Sequence, residues 1–222
     1  MTYHGVAYST TETIKNTQYY TDSVVQAKIP GIFVECGVAA GAQIAAMQER
    51  LNAFGESRWI YGFDSFEGIP LASEEDDEQP GLPNMPRVKY TDKRELLKSS
   101  GVTVCSKEEV RRNLRQWFPN NDEKIILVKG WFQDTLGPYT SVIRQLGGIS
   151  LLRLDGDLYE STKVSLEQLY PLLNVGGVLI IDDWNLGGCR RACLEYFEKV
   201  DVSQVDAPYG SLADGPAYFI KN

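Results

Sequence analysis

The chain has 222 residues, of which 43% are hydrophobic, 11% aromatic and 23% charged, a globular composition rather than a disordered or collagen-like one. Asp and Glu total 30 against 22 Lys and Arg, a net charge of −8 that disfavours a binder of phosphate backbones, so nucleic acid is not an expected partner. Apolar runs such as VLII at 178–181 fall far short of the roughly 20 residues of a membrane span, and polar residues rather than a basic-then-apolar leader follow Met1; no membrane association and a cytoplasmic location are expected.

In chain order, residues 1–30 predict an N-terminal helix that caps the opening of the fold. Five near-continuously apolar runs predict buried strands at 31–36 (GIFVEC), 59–63 (WIYGF), 125–129 (IILVK), 149–154 (ISLLRL) and 177–182 (GVLIID). Helical periodicity places helices at 41–54, 106–117, 138–146, 161–173 and 188–199, with Ser106 and Glu109 at capping-box spacing. Such alternation predicts an α/β fold, a doubly wound and mostly parallel sheet. Two β-like runs between 202 and 221, around a turn-rich segment, predict a closing antiparallel hairpin and hence a seven-stranded sheet in a single domain over 1–222. The stretch 65–104, rich in acids, Pro and Gly, breaks the alternation just after a strand's carboxyl end. Ligands bind there in open α/β sheets, so it reads as a lid, with its run EEDDE at 74–78 a solvated loop.

Four motifs carry chemistry, three of them on the donor side. In FVECGVAAG, Glu35, Gly37, Val38 and Gly41 lead from a strand into a helix whose first amides are free, a turn that suits a methionine carboxylate better than a pyrophosphate because it departs from G-x-G-x-x-G. Asp64, with Ser65 after it in YGFDSFEG, ends the second strand, where an acid accepts hydrogen bonds from ribose hydroxyls or else caps the turn. The next strand runs into GWFQDT, where Trp131 or Phe132 can wall an adenine and Gln133 or Asp134 can bond its edge, unless the rings are core.

The most informative motif is a set of carboxylates, Asp155 and Asp157 in LLRLDGDLYEST and Asp182 and Asp183 in VLIIDDW, at the ends of two strands expected to be neighbours. Acids forced together share a proton or hold a cation, and an oxygen-only set without histidine suits Mg²⁺, Mn²⁺ or Ca²⁺. A metal there can activate a hydroxyl and align it for methyl transfer, with Asp157 as base or as a bonder of its own turn.

As an ordered set, FVECGVAAG, YGFDSFEG, KGWFQDTL, LLRLDGDLYEST and GGVLIIDDW resemble the macrocin O-methyltransferase family of metal-dependent sugar methyltransferases over most of residues 31–184. The resemblance implies a class I methyltransferase (Rossmann-like) fold, S-adenosyl-L-methionine as donor, Mg²⁺ held by Asp155, Asp182 and Asp183, and a small-molecule or glycan acceptor with a sugar hydroxyl. The interval from Asp155 to Asp182 is also similar to that in catechol O-methyltransferases, which leaves a phenol or other small metabolite as the alternative acceptor. A homo-oligomer is compatible with all of this.

Competing signals are bland or isolated. Tyr159 and Lys163 have the spacing of a reductase pair, but Tyr159 is expected in a turn, off the helical face that carries Lys163. Cys189 and Cys193 lack further zinc ligands, the only histidine being His4, and Cys36 and Cys105 read as buried thiols. Arg190 and Arg191 reach an anionic acceptor or solvate a helix; Trp184 and Tyr159 wall the acceptor or pack in the core.

Overall fold

A computed structural model describes residues 3, 8–76, 93–119, 123–199 and 216–222. Its strands are β1 (Ile32–Cys36), β2 (Ile60–Asp64), β3 (Ile125–Lys129), β4 (Ile149–Leu154), β5 (Leu173–Ile181) and β6 (Ala217–Ile220). They form one sheet in the order β3-β2-β1-β4-β5-β6, parallel except for β6, which runs antiparallel to β5. The chain leaves β1 for β2 and β3 on one side, then returns to β4 and β5 on the other, so the strand order reverses between β1 and β4. That is the switch point at which open α/β sheets leave a crevice. The helices are α1 (Thr11–Gln26), α2 (Ala42–Phe54), α3 (Lys107–Trp117), α4 (Phe132–Gln145), α5 (Tyr159–Leu169) and α6 (Gly187–Lys199).

Side chains alternate across each strand, so the apolar runs divide between two cores. Phe33, Leu151 and Ile180 face the layer that contains α1, α2 and α3, whereas Val34, Leu152 and Leu179 face that of α4, α5 and α6. The two layers hold the sheet from both sides, as the near-continuous apolar strands require.

Three elements differ from expectation in their bounds. α4 starts at Phe132 rather than 138, because Trp131 serves as its N-cap residue and Pro138 sits inside the helix, where it removes one amide without ending it. α5 begins two residues early and ends at Leu169, followed by a single 3-10 turn over Tyr170–Leu172 that contains Pro171. β5 begins at Leu173, pairing with Ile149 across a register shift. Of the expected hairpin, β6 is present, and the segment expected to form the other strand lies outside the described residues; the described residues form six of the seven expected strands. The first helix lies along α2 and across β4 and β5 rather than spanning the sheet's carboxyl end, while Tyr8 before it reaches that end.

Candidate active site

Backbone bonds continue past the strand ends and fix the loops that follow. Gly37 N donates to Phe63 O at 2.9 Å, Asp155 N to Cys36 O at 2.8 Å, Asp182 N to Leu154 O at 2.9 Å and Gly130 N to Asp64 O at 2.9 Å. The loops of five neighbouring strands thereby surround a cavity of about 270 Å³ at the switch point. Gly37, Asp64, Ser65, Trp131, Phe132, Asp155, Asp157, Asp182 and Asp183 line it, all of them candidates from the sequence. Tyr8, Ala39, Gly68, Ile69, Thr103 and Gly156 complete the lining. Both ends of the 65–104 insertion thus wall the cavity; its middle, 77–92, lies outside the described residues.

Other candidates stand behind the wall. Gly41 has φ 91°, and a Cβ there would meet Val110 Cγ1 at 3.1 Å, so this glycine serves the seating of α3. Val38 is buried in the α2 layer, and its backbone amide donates to Asp64. Gln133 is exposed on the first turn of α4, and Asp134 beside it pairs with Arg94. Gly37 combines φ 91° with a position at which a Cβ would lie 1.7 Å from Asp155 O, so only glycine lets β1 and the acidic loop meet.

Asp64 performs the turn-capping role that the sequence left open. Its Oδ2 accepts from Val38 N at 2.7 Å and Ala39 N at 3.1 Å, and its Oδ1 accepts from Phe66 N at 2.6 Å. Burial pushes its pKa up even though these amides pull it down.

The acids of β4 and β5 converge. One oxygen each of Asp155, Asp157 and Asp183 lie within 4.8 Å of one another. Asp183 Oδ2 also accepts from Asp157 N at 2.8 Å, and Asp157 adopts a left-handed φ of 60°, a conformation that costs energy in a non-glycine residue and concentrates at functional sites. Asp182 is turned differently, with Oδ1 bonded to Arg153 Nη2. Burial, followed by the Asp182 charge, pushes Asp155 up to about 6. Burial and neighbouring carboxylates raise Asp157 and Asp183 well above the ordinary carboxylate range.

Arg153, which the sequence reading did not single out, is the counterweight to these acids. It is 1% exposed inside β4, and its Nη1 bonds Glu35 at 3.1 Å and Asp155 at 2.7 Å. Glu35, fully buried in β1, accordingly faces Arg153 rather than the cavity, and burial pushes its carboxyl up to about 8. The signal was present in ISLLRL: a cation within a doubly buried strand requires anionic partners.

Some secondary readings are corrected and others are decided between their alternatives. Tyr159 opens α5 rather than lying in a turn, and Lys163 Nζ lies 3.2 Å from its hydroxyl, so the two share a face; the hydroxyl donates to Glu195 at 2.6 Å, and neither residue lines the cavity. Trp184 packs on Phe219 in the core with ring centroids 5.9 Å apart, and Arg190 and Arg191 are not among the lining residues. Cys36, Cys189 and Cys193 are free buried thiols, while Cys105 is only half-buried. Within the acidic run, Glu74 is exposed but Asp76 is 2% exposed, so the run is not simply solvated.

A doubly wound, mostly parallel sheet that opens a crevice between β1 and β4 and carries an antiparallel strand beside β5 is the architecture of the class I methyltransferases. Comparison with known proteins narrows this further. The profile of the macrocin O-methyltransferase (TylF) family matches residues 4–219, and the chain belongs to that family. It is 36% identical over 192 residues to the demethyldecarbamoylnovobiocin O-methyltransferase of Streptomyces niveus, covering 86% of this chain and 67% of that one. To the 8-demethyl-8-(2,3-dimethoxy-alpha-L-rhamnosyl)-tetracenomycin-C 4'-O-methyltransferase of Streptomyces olivaceus it is 33% identical over 191 residues, with the same coverage of 86% and 67%. Among solved structures, the O-methyltransferase NovP superposes with a TM-score of 0.75 at 31% identity, over 96% of this chain and 80% of that one. The chain is an S-adenosylmethionine-dependent O-methyltransferase.

Proposed function

We propose that the enzyme methylates a sugar hydroxyl of a small-molecule or glycan acceptor and that a divalent cation, Mg²⁺ or alternatively Mn²⁺ or Ca²⁺, is held among the acids at the ends of β4 and β5. The observation that carries the cation is the convergence of the Asp155, Asp157 and Asp183 oxygens within 4.8 Å, against which Arg153 sets a single positive charge already shared with Glu35 and Asp182. An all-oxygen, half-buried donor set of this charge fits a hard cation and not zinc. The sugar is supported by the Streptomyces olivaceus relative, whose name places its methyl group on a rhamnosyl compound.

On this reading Asp155 and Asp183 are ligands, with Asp182 adding the oxygen that Arg153 does not bind. The cation, when bound, lowers the pKa of the acceptor hydroxyl and counters its developing charge. Asp157, whose carboxylate oxygen lies among those of the ligands, takes the hydroxyl proton. The hydroxyl oxygen bonds the methyl carbon as the carbon–sulfur bond of the donor breaks. At the donor end, Gly37 and Asp155 flank the methionine portion, Asp64 retains acceptor capacity for ribose hydroxyls beyond its three amide bonds, and Trp131, Phe132 and Ser65 wall the nucleoside. The insertion acts as a lid, and Tyr8, ahead of α1, closes the same opening, within a single domain.

Calorimetric titration tests this. S-adenosylmethionine is expected to bind both the parent and an Asp182→Ala, Asp183→Ala double variant, and Mg²⁺ to bind the parent alone. Equal Mg²⁺ binding by both would overturn the metal site. A panel of deoxysugar nucleotides, glycans and catechols then tests the acceptor, and turnover of catechols alone would overturn the sugar.

A further inference from the structure

The acid-bearing loops are clamped from outside the cavity by a residue that takes no part in the chemistry above. Asp76 is 2% exposed at the foot of the insertion. Its Oδ1 accepts from Tyr159 N, the first residue of α5, at 2.8 Å, and its Oδ2 accepts from Ser73 N at 2.8 Å and Ser73 Oγ at 2.9 Å. A Cβ at Gly188, in the first turn of α6, would lie 2.1 Å from the same Oδ1, so the carboxylate occupies space that only a glycine leaves there. One carboxylate therefore touches the amino ends of both α5 and α6, where helix dipoles favour a negative charge. These ends directly follow the loops carrying Asp155 with Asp157 and Asp182 with Asp183. A second contact works on the same loop, because Ile69, Ala72 and Val102 of the insertion pack on Leu158, between Asp157 and Tyr159.

We propose that Asp76 is a positioning residue of the methyl-transfer site: lodged between the amino ends of α5 and α6, it couples the docked insertion to the placement of the four aspartates. The proposal rests on the reading of those aspartates as the site of cation and acceptor binding. The latch contacts the ends of the β4 and β5 loops directly and reaches the donor turn at 37–41 only through Asp155, so the two ligands are expected to feel its loss unequally.

The test compares the parent with Asp76→Ala, Asp76→Asn, Gly188→Ala and the Asp76→Ala, Gly188→Ala double variant. Two readouts are taken on the full chain: amide hydrogen exchange, and calorimetric affinities for Mg²⁺ and S-adenosylmethionine. Exchange is expected to rise in 155–159 and 182–188 in every single variant and to stay unchanged in 37–41. Mg²⁺ affinity is expected to fall about tenfold or more while S-adenosylmethionine affinity stays within about twofold, and Gly188→Ala is expected to add nothing once the carboxylate is gone. Uniform loss of protection, equal loss of both affinities, or fully additive effects would each assign Asp76 a general stabilising role and overturn the proposal. If the parent itself binds no Mg²⁺, the metal reading fails by that result, and the exchange pattern alone decides the role of Asp76.

Discussion

At Arg153 the chain places a charge where strands normally carry aliphatic residues, and three acids compensate it. Removing one member of such a group leaves the others buried and uncompensated, which typically costs about 3 to 5 kcal/mol. Arg153→Met is therefore expected to lower unfolding free energy in urea by about that much, and adding Glu35→Gln to restore part of the loss, since it removes a buried carboxyl left without its partner. An equal loss in the single and double variants would contradict the pairing. Gly37→Ala is expected to be at least as severe, because its methyl would meet the Asp155 carbonyl at 1.7 Å in a backbone conformation that L residues avoid. Thermal unfolding, with wild-type-like behaviour as the contrary result, checks it.

Among the elements, α3 offers a contrast to these site-forming parts. Ser106 Oγ accepts from Glu109 N at 3.3 Å and Glu109 Oε2 accepts from Ser106 N at 2.8 Å, a reciprocal cap legible in the sequence alone. The helix packs through Val110 and Leu114 and lines no part of the cavity. Ser106→Ala is expected to cost about 1 kcal/mol of stability and to leave S-adenosylmethionine affinity unchanged by calorimetry. Helix α4 was harder to read, since Gly137 and Pro138 together look like a boundary. The helix tolerates Pro138 because the ring removes one amide within a segment anchored at both sides of it by buried Leu136 and Ile143.

For the molecule as a whole, the acid cluster links stability to pH and to cations. Asp155 titrates at about 6 in the folded protein, above an ordinary carboxylate, so between those values the folded state binds more protons than the unfolded state. Stability without metal is thus expected to decline from this source as pH rises toward 6, the opposite of a salt-bridged carboxylate, and Asp157 and Asp183, also raised, add a change of the same sign. Bound Mg²⁺ is expected to reverse this at neutral pH. At about 100 times its Kd it contributes about 2.7 kcal/mol, or roughly 5 to 10 °C in Tm for a chain of this size, and Asp183→Ala should abolish the rise. Calorimetric scans from pH 4 to 8 with and without Mg²⁺ check both signs.

Strand positions, the capping box and the identity of the cavity-lining acids were legible in the chain because each is a local property: apolar runs, turn residues and polar strand ends follow from the backbone's own periodicities. The separation of Glu35 from the cavity, the turning of Asp182 toward Arg153 and the burial of Asp76 were not. Each depends on which side chains meet across strands and loops distant in sequence, as Arg153 meets Glu35 across 118 positions and Asp76 meets Tyr159 across 83. Sequence by itself determined the alternation that makes a parallel sheet and the order of the motifs that mark the family. Only the tertiary structure decided which acids face the cavity and which are spent on a buried arginine or a helix end, because a carboxylate's partner is set by burial and distance, and neither is a property of its neighbours in the chain.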